Sequence, residues 1–115
     1  EIYRVVEHSH MPHAVFAYLP DERIAIEGDL GDEAWQLHWW GSALAANIEH
    51  YGIDPVTNIA VHGTGPLSIQ QTLANNQRQI DAALEYCRTT ESGGRFVFGC
   101  PVQYDTQGPV TLTPR

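Results

Sequence analysis

Residues 14–30, "AVFAYLPDERIAIEGDL", constrain the fold more than any other stretch. Two apolar runs of strand length flank a polar turn at Pro20, Asp21 and Glu22, which predicts a β-hairpin. Ahead of it, "EIYRVVEHS" opens with β-formers and predicts a short strand ending near His8. After it the period changes. From 32 to 51, Leu37, Trp40, Leu44, Ile48 and Tyr51 recur at three- and four-residue intervals, the apolar face of a helix, and Gly52 and Pro55 stop it. "NIAV" at 58–61 is a short buried strand running into "HGTGP", and Pro66 suits the first turn of a second helix. That helix is predicted over 67–88, with Ile69, Leu73, Ile80, Leu84 and Cys87 on one side and Gln70, Gln71, Asn75, Gln77 and Arg78 on the other. "ESGG" is a loop and "RFVFGCPV" a strand. The order is strand, hairpin, helix, strand, helix, strand, an α/β arrangement. The 115 residues fit one domain over 1–115, with 103–115 as a loosely ordered tail.

Six basic against fourteen acidic residues give a net charge of −8, which argues against nucleic acid or an anionic membrane as partner, because phosphate binding needs clustered Lys and Arg. No apolar run is long enough to span a bilayer, and no basic segment followed by an apolar one opens the chain. The first residue is Glu1, not Met, so localisation is not readable from this end. Cys87 and Cys100 lack a zinc-finger or C-x-x-C spacing and read as unpaired thiols; a disulfide between them is the minority reading and implies an oxidising compartment.

Three histidines crowd into "VEHSHMPH" as H-x-H-x-x-H, at His8, His10 and His13. Metal sites in α/β folds gather where strands end, because side chains converge there without disturbing the sheet. Three residues have that placement: His10 before the hairpin, Asp29 after its second strand, and His62 after the next strand. Imidazole nitrogen and carboxylate oxygen suit zinc, and a carboxylate can bridge two ions. Taken singly, an Asp after Gly is more often a turn residue or helix cap, and a lone His a surface side chain.

"HMPHAVFAYLPDERIAIEGDL", then a Trp-bearing helix, then "IAVHGTGP", resembles the C-terminal half of the metallo-β-lactamase fold hydrolases over roughly residues 5–88. There the pattern is H-T, an apolar strand ending in L-P, a turn, a strand ending in G-D-L, and later G-H-G. The resemblance implies half of an αββα sandwich, one mixed sheet with two outer helices. It makes His10 the third histidine ligand of the first zinc, Asp29 the carboxylate bridging both ions, and His62 the last histidine ligand of the second. It implies two zinc ions, with iron or manganese as alternatives, activating water against a small-molecule substrate, with Asp29 in a catalytic role. His13 and His8 are left as weaker candidates for substrate contact or for support of the ligands.

That register also disposes of the three-histidine cluster as the family's H-x-H-x-D-H. The hairpin to Asp29 follows at once without a further histidine, and Pro12 stands where the motif needs a carboxylate. Ser9, Met11 and Val61 replace the usual Gly, Thr and Gly, which leaves the ligand types intact but not the substrate class. Nothing matches the half that carries H-x-H-x-D-H. A lone half would bare the inner face of its sheet, carrying Val15, Ala17, Ile24 and Ile26 or their alternates, so a partner is expected: the missing N-terminal half, a complementary chain or a homo-oligomer. Two rivals stand beside the hydrolase reading, a non-catalytic association module and a small local metal site of His8, His10 and His13. On the first helix Trp40 falls on the apolar stripe, Trp35 and Trp39 face elsewhere towards a pocket mouth or another domain, and His38 and His50 read as solvent-facing.

Overall fold

The computed structural model describes residues 1–6, 11, 13–30 and 42–89, with the side chains of the last helix through residue 86. In chain order the elements are β1 (Ile2–Arg4), β2 (Val15–Leu19), β3 (Ile24–Glu27), α1 (Ser42–Tyr51), β4 (Thr57–Ala60), β5 (Leu67–Ser68) and α2 (Ile69–Thr89). The strands form one mixed five-stranded sheet in the order β1-β2-β3-β4-β5, with β3 and β4 parallel and the other neighbours antiparallel. The result is a small mixed α/β domain. No helix among the described residues is long and apolar enough to cross a membrane.

Strand alternation decides which face the helices cover. Phe16, Tyr18, Ala25 and Glu27 are buried, whereas Val15 and Leu19 are exposed. Phe16 joins Val5, Leu30, Ala43, Leu44 and Ile69 in one cluster, so both helices pack on this face; Tyr3, Ile48, Tyr51, Ile53 and Leu73 lie against it. Tyr3 stacks on Phe16 with ring centroids 5.4 Å apart and meets Tyr51 at 4.5 Å. The Tyr3 hydroxyl donates to Glu1 Oε2 at 2.7 Å, and that hydrogen bond, followed by desolvation and nearby charge, pushes the phenol up.

Among the described residues the opposite face is apolar and partly exposed: Ala17, Ile24, Ile26 and Ile59 are half-buried. Register aligns Ile2, Ala17, Ile26 and Ile59 in a row across four strands, with Leu19 beside Ile24. Ile2 is 71% and Val15 59% exposed. Val15, Ala17, Ile24 and Ile26, expected on an uncovered face, all lie on it.

The ends of α1 follow from local chemistry. At its C-terminus Gly52 takes φ 60° while its N–H donates to the Glu49 carbonyl and the Ile53 N–H to that of Ile48, the paired bonds of a Schellman turn. Within α1, Asn47 is fully buried and pairs with the backbone after β1. Its Oδ1 accepts from Val6 N–H at 2.8 Å, and its Nδ2 donates to the carbonyls of Val6 at 2.9 Å and Ala43 at 2.7 Å.

Three expectations need correction. The first strand ends at Arg4, not near His8, although Val5 N–H still donates to the Ala14 carbonyl. The strand expected at 58–61 is Thr57–Ala60, and Val61 enters a turn while its N–H continues the ladder to the Glu27 carbonyl. Pro66 and Leu67 do not open the second helix: Leu67–Ser68 pairs with β4, and α2 starts at Ile69. The cause is a capping box at Ser68 and Gln71. Ser68 Oγ accepts from Gln71 N–H at 3.2 Å, and Gln71 Oε1 accepts from Ser68 N–H at 3.3 Å. The first turns of the expected 32–51 helix, the 95–102 strand, the 103–115 tail, Cys100 and the Cys87 side chain lie outside the described residues.

Candidate functional site

The parallel pairing of β3 with β4 sets Glu27 opposite Ala60. Both strands run the same way, so the residues two places beyond, Asp29 and His62, emerge side by side at one edge. His62 Nε2 stands 3.1 Å from Asp29 Oδ1, with side-chain exposures of 53% and 22%. The pair is therefore open to solvent, at the carboxyl ends of parallel strands, where open α/β sheets place their ligands. His62 is carried on a tight turn in which Gly63 N–H donates to the Ala60 carbonyl at 3.1 Å. A Cβ at Gly63 would meet that carbonyl oxygen at 3.2 Å and the Ala60 Cβ at 3.3 Å, so the turn closes readily only over glycine.

Behind Asp29 lies a buried polar network. Glu27, 2% exposed, accepts from Leu30 N–H through Oε2 and from Asn58 Nδ2 through Oε1, each at 2.8 Å. Asn76 Nδ2, from α2, donates to the Leu30 carbonyl at 3.2 Å. Asn58 gives its Nδ2 to Glu27 while its Oδ1 stays buried with no hydrogen-bond partner, an arrangement that costs about 1–3 kcal/mol. Sequence reasoning missed this group, although a signal existed: two-residue alternation from Ala25 puts Glu27 inward, and Asn76 falls on the stripe of Ile69, Leu73 and Ile80.

Of the expected ligands, the structure brings Asp29 and His62 together. His13 is exposed in the turn ahead of β2, and His50 is exposed on α1. His8, His10, Trp35, His38, Trp39 and Trp40 lie outside the described residues. Among the described residues no group of three or more His, Cys, Asp or Glu is placed to hold a metal ion. Comparison with family models, curated proteins and solved structures finds no match to the chain.

Two donors at this separation suit either of two uses. A proton on Nε2 makes them an ion pair or hydrogen-bonded couple. A metal ion in the proton's place would meet one imidazole nitrogen and one carboxylate oxygen. Two ligands of one tetrahedral zinc, each bonded at about 2.0–2.1 Å, stand about 3.3 Å apart, close to the observed spacing. Donor type and spacing therefore fit zinc, and the described residues supply two of the positions such an ion needs.

Proposed function

We propose that this chain is the C-terminal half of a metal-dependent hydrolase of the metallo-β-lactamase type, with Asp29 and His62 as ligands. The observation that carries this reading is the 3.1 Å approach of His62 to Asp29, set by the β3–β4 register and open to solvent. The partly exposed apolar face supports it, since half of a two-sheet sandwich leaves its inner face uncovered. His10 is the third ligand by resemblance alone. A bound zinc supplies Lewis acidity towards a carbonyl or phosphoryl group and acidifies water. The chain's own part is to hold two donors apart from the core, with Asp29 on a loop tied from behind and His62 on a turn with little freedom to move. The remaining ligands and most of the substrate pocket belong to the complementary half.

The rival is an association module that uses the same face and has no metal chemistry, favoured by the lack of a three-residue ligand group among the described residues. Calorimetric titration of zinc into the 115-residue chain and its Asp29→Ala, His62→Ala and His10→Ala variants separates the readings. Weak binding lost in each variant supports the hydrolase-derived site. Unchanged affinity in Asp29→Ala points instead to the local His8, His10 and His13 site, and no heat at all favours the association module. Neither Asp29 nor His62 is buried, so Asp29→Ala and His62→Ala should stay folded.

A further inference from the structure

We infer that Glu27 is a positioning residue for Asp29, acting through the backbone of Leu30; the inference rests on Asp29 being a ligand as proposed above. Asp29 follows a glycine, and a Cβ added at Gly28 would meet nothing within 4 Å, so local packing does little to fix the Gly28–Asp29 peptide. A clamp on the next residue helps to fix it. Glu27 Oε2 accepts from Leu30 N–H, closing residues 27–30 into a four-residue loop, and Asn76 donates to the Leu30 carbonyl from the opposite side. Leu30 itself is 1% exposed and part of the core cluster. With Leu30 held at N–H, carbonyl and side chain, Asp29 stands between a strand end and a fixed point. Asn58 extends the clamp to β4, the strand that carries His62, so one carboxylate spans both supports of the pair.

A carboxylate suits this task because both oxygens accept. A glutamine can still serve both if Asn58 turns its unpaired Oδ1 towards the new NH₂, whereas a methionine of similar length offers no oxygen to either partner. Outer groups of this kind orient ligands, and changing them typically costs about 10–100-fold in metal affinity.

The test uses the 115-residue chain with Glu27→Met, measured by NMR without metal and then by zinc titration. Leu30 amide exchange is expected to quicken by about tenfold or more while α1 amides keep their rates, since one buried bond is lost locally. Cross-peaks between the His62 ring and the Asp29 Cβ protons should weaken, and zinc affinity should fall by about 10–100-fold. An unchanged Leu30 exchange rate with unchanged cross-peaks overturns the inference, as does full zinc affinity once Leu30 is released. If Glu27→Met unfolds the chain, Asn76→Ala releases the Leu30 carbonyl instead, with the same expected loss of cross-peaks and the same refuting result. A parent chain that binds no zinc defeats the hydrolase reading, yet the metal-free exchange and cross-peak data still decide whether Glu27 holds Asp29 against His62.

Discussion

Replacing Asn47 probes the joint that fixes where the histidine-rich segment begins. Its side chain does for Val6 what a neighbouring strand would do, accepting from the N–H and donating to the carbonyl. In Asn47→Ala both Val6 groups lose their partner. A polar backbone group left unpaired costs about 1–3 kcal/mol, and Val6 is only half-buried, so the lower end applies to each. The space left by a fully buried amide adds to this, and the better helix propensity of alanine returns about 0.5 kcal/mol. The expected net loss is about 2–3 kcal/mol. For a domain of this size that lowers Tm by roughly 10–20 °C, readable by far-UV circular dichroism alongside urea unfolding. Asn47→Asp separates polarity from volume. It keeps the shape and the acceptor for Val6 N–H, but turns an oxygen towards the carbonyls of Val6 and Ala43. Burial and two facing carbonyls favour the protonated acid in the folded state, so the folded-state pKa lies above the unfolded one. The variant's stability should accordingly be highest at acid pH and fall as pH rises through the folded-state pKa. A loss below about 0.5 kcal/mol in Asn47→Ala, the size of an ordinary surface change, would refute the assignment of Asn47 as a strand surrogate.

Gly52→Ala should cost about 1–2 kcal/mol in urea unfolding despite open space around the site, because φ 60° strains any residue with a Cβ; a neutral result would contradict the Schellman assignment. On the partly exposed apolar face, Val15→Lys with Ile2→Lys should leave the chain's own stability within about 0.5 kcal/mol, since both side chains are already exposed, and should weaken any self-association seen by sedimentation velocity. Strong destabilisation of the unassociated chain would show that the face is covered from within.

Much of the fold was legible because its signals were periodic. The hairpin announced itself by two apolar runs around a polar turn, and α1 by Leu44, Ile48 and Tyr51, all of which reach the core. What escaped was the pairing information. The two residues of β5 are a strand only because Thr57 and Asn58 stand opposite them, and such pairing leaves no local pattern. The start of α2 was readable in Ser68 and Gln71, but Pro66 drew the boundary forward. Buried polar residues escaped for a different reason. Assigning polarity to the outside is right for Gln70 and Gln77 and wrong for Glu27, Asn47 and Asn76, each of which has a partner far away in sequence: Asn58, Val6 and Leu30. Asp29 and His62 were singled out, with His10, by their place at strand ends and by the resemblance; the nearness of the first two follows from the parallel β3–β4 register, which the sequence did not reveal, and His10 lies outside the described residues.

The partly exposed face and the short ligand set are two deficits with one geometry. Ile26 and Ile59 lie opposite each other one residue before the ends of β3 and β4, and Asp29 and His62 follow three residues later, two places past the ends of the same strands. At no more than about 3.3 Å per residue, the pair sits within about 10 Å of the apolar row. A layer seated on that row would bring its own loops within reach of the strand edge that carries both donors. Were the two deficits unrelated, a partner could satisfy the face and leave the pair with only its proton. If one complement serves both, association must tighten zinc binding and zinc must tighten association by the same factor, because the coupling is reciprocal.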